Sequence, residues 1–218
     1  MIGMRYVALA CAALGLVTSA ASARAETLHS FTVGSTAFTL PVPEGYCLPT
    51  DANVAQAEKV AALDTLNLTH ATLDRCGSFG QEYAHIKSPR QWQPVPMPRA
   101  DFLALIAREL QTANGQQLVG EAIENAERDV AKGTSEEIKI DTAVPRFAGQ
   151  DDICVYMAMT GDVMNAQGTV SMRGVICMTV IDGEFMNINT YAIVGTGLTF
   201  DQLKTRARAI ALSIAPAG

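Results

Sequence analysis

The stretch from Asp151 to Gly195 constrains the fold most, because it holds three apolar runs in series. They are Ile153 to Thr160, Thr169 to Ile181 and Glu184 to Val194, separated by Asn165-Ala166-Gln167-Gly168 and by Asp182-Gly183. Short turn-prone links between apolar runs predict a three-stranded antiparallel meander, with the rest of the chain as its cover. Centring the first turn between Asn165 and Ala166 sets Ile153 opposite Met178, Val155 opposite Ile176, Met157 opposite Gly174 and Met159 opposite Met172. These residues form one apolar face, as the two-residue period of a strand requires. The other face pairs Tyr156 with Val175, Ala158 with Arg173, Thr160 with Ser171 and Cys154 with Cys177. Directly opposed residues have Cα atoms ~4.5–5.5 Å apart, a span a disulfide bridges.

Asp182-Gly183 is a two-residue turn signal. It places Met186, Ile188 and Val194 on the cysteine face, and Phe185, Asn187, Asn189, Tyr191 and Ile193 on the methionine face. Neither set is purely polar, and a bulge would exchange them, so the faces of 184–194 stay open. The mixture predicts that both sides of the sheet are at least partly covered.

Residues 1–25 have the pattern of a secretory signal peptide: Arg5 in a basic start, an apolar run from Tyr6 to Val17, and Ala23-Arg24-Ala25 before Glu26. The apolar run is shorter than the ~20 residues a membrane helix needs, and Ala8-Leu9-Ala10 before Cys11 makes a poor lipobox. Cleavage would leave 193 of 218 residues as one domain, 26–218, long enough for a sizeable core. Arg5 and Arg24 would leave with the signal, so 14 basic side chains would stand against 22 acidic ones, a net charge of −8. This balance argues against nucleic acid and against anionic lipid, both of which call for a basic face. The expected location is the periplasm or outside the cell, with no stable membrane insertion after cleavage.

Four cysteines remain: Cys47, Cys76, Cys154 and Cys177. An even count in an exported chain predicts disulfides. The register selects Cys154–Cys177, which leaves Cys47–Cys76. No C-x-x-C occurs and no ligand pairs have finger-like spacing, so neither redox nor zinc chemistry is indicated.

The mature chain opens on a hairpin, Ser30–Val33 and Ala37–Val42 about Gly34-Ser35. A helix capped by Asp51 follows to about Leu66. Two short strands, Ala71–Arg75 and Glu82–Lys87, flank a turn at 76–80. Ser88–Pro98 carries four prolines and Trp92 and reads as an irregular loop, with Trp92 closing the core beneath it or exposed for recognition. Helices are expected over Asp101–Thr112 and Gln116–Lys132, broken at Asn114-Gly115, then a strand over Glu136–Ala143. Thr199-Phe200-Asp201-Gln202 fits a capping box. Phe200, Leu203, Ala207, Ile210 and Ile214 form an apolar stripe facing the meander, with Lys204, Arg206 and Arg208 facing away. The fold class is therefore α+β: an antiparallel sheet with a C-terminal meander, flanking helices that include a C-terminal helix, and two disulfides.

The segment Phe38-Thr39-Leu40-Pro41-Val42-Pro43-Glu44-Gly45-Tyr46, the meander and a last helix ending in Ile210-Ala211-Leu212-Ser213-Ile214 resemble the PsbP/DcrB-like group of exported or lumenal proteins. The resemblance implies an antiparallel sheet with flanking helices and a non-catalytic accessory or binding role. It carries no catalytic residues, and the helical pair and both disulfides lie outside the group's pattern.

Chemistry is sparse. His70, Asp74, Ser78 and His85 are close in sequence, and a serine nucleophile needs a histidine base and a carboxylate. Ser78 lacks the G-x-S-x-G elbow, so a hydrolase using Ser78 with His70 or His85 is the second reading. A metal site from His70, Glu82 and His85, or a cation at Asp151-Asp152, is weaker still; no metal and no cofactor are expected. Arg173, mid-strand beside Tyr156, must reach water, a carboxylate or a ligand. Arg173, Tyr156 and Trp92 are the candidate ligand or partner contacts. The leading reading is a non-catalytic periplasmic binding or envelope accessory protein, its partner an envelope protein or a small ligand.

Overall fold

The computed structural model describes residues 27–121, 139–141, 145–165 and 168–218. The signal-like segment, most of the helix expected over Gln116–Lys132 and the flanks of the strand expected over Glu136–Ala143 lie outside them. In chain order the elements are β1 (Leu28–Val33), β2 (Thr36–Pro41), β3 (Tyr46–Cys47), α1 (Ala52–Leu63), β4 (Asn67–Arg75), β5 (Glu82–Pro89) and α2 (Arg99–Leu110). Then come helical residues 113–121 (α3), β6 (Lys139–Asp141), β7 (Arg146–Gln150), β8 (Val155–Asn165), β9 (Gly168–Ile181), β10 (Glu184–Ile193), α4 (Phe200–Ser213) and β11 (Ala215–Pro216).

The meander forms as β8–β9–β10, but it is the middle of a larger sheet. Strands run in the order β3-β4-β5-β10-β9-β8-β6, with β7 also paired to β8. A separate three-stranded sheet, β1-β2-β11, carries the N-terminal hairpin. All the strand pairings among the described residues are antiparallel.

The second hairpin has the register that the Asp-Gly turn dictates: Glu184 opposes Ile181 and Ile188 opposes Cys177. Asp182 and Gly183 have φ of 50° and 79°, the left-handed pair of a tight hairpin turn. The faces of β10 follow without a bulge.

The first hairpin departs from expectation. Asn165 opposes Gly168, so Tyr156, not Cys154, opposes Cys177, and Val155 opposes Met178. Moving the turn centre by one residue moves each partner by two, which preserves every face. The cysteines still meet. Asp151 Oδ1 accepts hydrogen bonds from the backbone N–H groups of Ile153 and Cys154, both at 2.9 Å, and folds the chain just before β8. Cys154 thereby lies 5.3 Å, Cα to Cα, from Cys177, and the two are bonded. Cys47 and Cys76 form the other disulfide, Cα atoms 5.2 Å apart.

Each face has its own cover. On the cysteine face, Tyr156, Val175, Cys177, Met186, Ile188 and Ala192 pack against Leu203, Ala207, Ile210 and Ala211 of α4, and this core continues into Val33, Phe38 and Leu40 of the small sheet. The helix starts where its capping box predicts: Thr199 Oγ1 accepts from Gln202 N, and Gln202 Oε1 accepts from Thr199 N. Its charged residues do not simply face away. Arg206 pairs with buried Glu82, which also accepts from the Tyr46 hydroxyl at 2.5 Å. Arg208 pairs with Asp151 and Asp152, and Lys204 Nζ lies 4.4 Å from the Tyr156 ring centroid. On the methionine face, Leu103 and Ala107 of α2 pack on Val155, Phe147 and Met178.

Two smaller expectations also change. Asp51 makes no side-chain cap on α1; Asp64 instead shapes the exit, accepting from the N–H groups of Leu66 and Asn67. Asn114-Gly115 lies within helical residues 113–121. A Cβ on Gly115 would sit 2.0 Å from Glu109 O, so only glycine lets α3 start this close to the end of α2.

Candidate functional site

Helix α2 covers only part of the methionine face. Beside it the sheet is left open as a cleft of about 460 Å³, walled by Val60 of α1, Asp64 just after it, Leu110 of α2, Val119 of α3 and Pro145. Strand alternation paves its floor in two lanes. Strands β8 and β9 contribute Met157, Met159, Met172, Ile176 and Met178, an apolar lane of pliable side chains. Strands β5 and β10 contribute Tyr83, His85, Lys87, Asn187, Asn189 and Tyr191, a polar and aromatic lane. Cross-strand register sets the second lane in pairs: Tyr83 with Tyr191, His85 with Asn189, Lys87 with Asn187.

The polar lane is fixed from several sides. The Tyr83 and Tyr191 rings stack with centroids 5.0 Å apart, and Tyr83 contacts His85 at 5.1 Å. His85 Nδ1 shares a hydrogen bond of 3.1 Å with Thr72 Oγ1. Burial, with Lys87 nearby, pushes the His85 imidazole down to about 3, so it is neutral at ordinary pH. Burial likewise raises the Tyr83 phenol. Lys87 Nζ is 2.8 Å from Asp64 Oδ2, and this pair with the surrounding hydrogen bonds holds the Asp64 carboxyl below its usual range although burial opposes it. Asn187 and Asn189 differ from their neighbours. Each has a buried Oδ1 with no hydrogen-bond partner among the described residues. Asn189 is only 7% exposed. Buried amide oxygens are ordinarily bonded, so two side by side in one cleft are unusual.

Of the candidate contacts, Tyr156 and Trp92 fall elsewhere, while Arg173 is part of the cleft's lining but turns its guanidinium away. Tyr156 is fully buried under α4, its hydroxyl donating to Asp151 Oδ2 at 2.7 Å. Arg173 extends on the α4 side, where its guanidinium donates to Leu198 O at 2.7 Å and lies 5.8 Å from the Phe200 ring centroid. Trp92 lies across Gly34, and its indole N–H donates to Glu184. The hydrolase residues do not converge. A bulge between Thr69 and Ala71 turns His70 to the side of Ser88 and Phe31, at 2.7 Å from Ser88 Oγ. Ser88 shares strand parity with Ala84 and Ile86, whereas His85 faces the cleft on the opposite side. Ser78 sits in the β4–β5 turn, its N–H donating to Arg75 O. No group of three or more potential metal-ligating side chains forms among the described residues. The alternation in β10 was the sequence signal for the cleft: Asn187 and Asn189 both fall on the methionine face.

Fold and site define an α+β protein with two disulfides and an amphipathic cleft on one face of an antiparallel sheet. No family model and no curated protein matches the sequence. Among solved structures the chain is similar to cyanobacterial PsbP (CyanoP) from Synechocystis sp. PCC 6803. The TM-score is 0.37 at 10% identity, over 93% of this chain and 100% of that one. It is also similar to LpqN of Mycobacterium tuberculosis, a protein involved in cell envelope biogenesis, with a TM-score of 0.33 at 13% identity, over 88% of this chain and 91% of that one. Likeness at these scores is broad and says nothing of ligand or chemistry.

Proposed function

We propose that this is an exported binding protein that holds a small, largely apolar molecule in the cleft above Met157, Met159 and Ile176. The observation that carries the reading is the cleft itself, about 460 Å³, within the range of small-molecule sites. Its pliable methionine floor suits an apolar body, and its tyrosines and asparagines supply a few fixed polar groups. Two disulfides support an oxidising location outside the cytoplasm. No described helix is long and apolar enough to cross a membrane. The envelope role belongs to the same reading: a protein of this kind would carry or present its ligand to an envelope partner.

The test is titration with the apolar fluorescent dye N-phenyl-1-naphthylamine. Wild-type protein should bind it, and Ile176→Trp, which fills the floor, should weaken binding at least tenfold while the thermal midpoint stays near wild type. Equal dye binding by both proteins would remove the cleft as the site. Export is checked separately by the mass of the protein from the envelope fraction, which should begin at Glu26.

A further inference from the structure

We propose that the cleft selects neutral ligands whose head group donates two hydrogen bonds, with Asn187 and Asn189 accepting them and the methionine lane taking the apolar remainder. The inference rests on the binding reading above and specifies its ligand. Both asparagines line the cleft, and both Oδ1 atoms are buried without a partner among the described residues. A buried acceptor left unbonded is costly, so a ligand that donates to it gains relative to one that does not. A site built to bond a donor discriminates strongly against an analogue that lacks one. The two residues are two apart on one strand, with Cα atoms roughly 6–7 Å apart. Two donors on one small head group can serve both.

Charge sets the remaining condition. An anion would meet two carbonyl oxygens, and the cations near the cleft are already engaged. Lys87 is paired with Asp64, and the Arg173 guanidinium is bonded to Leu198 on the far side of the sheet. A cation would find Asp64 already bound to Lys87. A primary amide on an apolar chain has the required chemistry: two N–H donors, no net charge and a hydrocarbon tail for the Met157–Met159 lane.

The test is displacement of N-phenyl-1-naphthylamine from the full mature protein by octanamide, methyl octanoate and sodium octanoate. Octanamide should displace the dye at a concentration at least tenfold lower than either of the others. Asn189→Leu and Asn187→Leu should each bring octanamide to within about threefold of methyl octanoate. Two variants guard against one failing to fold. Equal displacement by all three probes, or an octanamide advantage that survives in both variants, overturns the inference and leaves the cleft reading intact. A dye that binds but yields to none of the three also overturns it. A dye that does not bind wild-type protein removes both.

Discussion

Tyr191 lies directly across the β9–β10 ladder from Gly174, and its ring fills the space a side chain at 174 would need. A Cβ there would come within 2.8 Å of the ring's Cδ1 and Cε1 and 3.0 Å of Met159 Cγ. The ring cannot yield freely because it stacks on Tyr83. Gly174→Ala should therefore destabilise the protein by about 1–3 kcal/mol through overpacking. Urea unfolding gives the value. Tyr191→Leu in the same chain should recover part of the loss, and strict additivity of the two changes would show that they do not clash.

Glu82 is buried and held between the Tyr46 hydroxyl and Arg206, which ties α4 to β5. Arg206→Met would leave the carboxylate without its counter-charge. The expected cost is about 2–3 kcal/mol, below that of a fully buried pair because Arg206 is partly exposed. Glu82→Gln combined with Arg206→Met should lose less than Arg206→Met alone. A larger loss in the double variant would mean that the pair matters for packing more than for charge.

The neutral state of His85 makes stability depend on pH. Its folded pKa, about 3, lies below the ~6.5 of an unfolded histidine. Between those values the unfolded chain binds a proton that the folded chain does not. Stability is thus fully present above about pH 6.5 and falls as pH drops towards 3, by up to about 1.4 kcal/mol per pH unit. His70, also lowered by burial, acts in the same direction. Urea midpoints should fall between pH 7.5 and 5.5, and His85→Gln should flatten that slope. An unchanged slope would place the titrating group elsewhere.

Replacing Cys154 and Cys177 together by alanine opens a loop with a sequence separation of 23. The expected loss is about 3 kcal/mol, chiefly by freeing the unfolded chain. Reduction of the wild-type protein, which also opens Cys47–Cys76, should cost more. If the double variant unfolds at the wild-type urea concentration, the bridge adds nothing to folding.

Legibility in the sequence varied with the kind of signal. Asp182-Gly183 fixed the β9–β10 register because its left-handed backbone admits one turn geometry. The four-residue link before β9 offered several turn centres, and the one read from Asn165-Ala166 was a residue early. The faces survived because strand period is two, and the disulfide survived because Asp151 bends the chain towards Cys177. Long-range partners were out of reach. Nothing local says that Arg206 finds Glu82, that β5 joins β10, or that α2 stops short and leaves Asn187 and Asn189 beneath a cleft. Those facts depend on how elements far apart in the chain dock, which periodicity does not encode.

Glu184 accepts from both Thr36 and Trp92, so the turn of the small sheet and the start of β10 share one carboxylate. Trp92 is the chain's sole tryptophan. Intrinsic emission is therefore a built-in gauge of that seam. A red shift that precedes loss of β-sheet ellipticity would record the N-terminal hairpin peeling from an otherwise intact body.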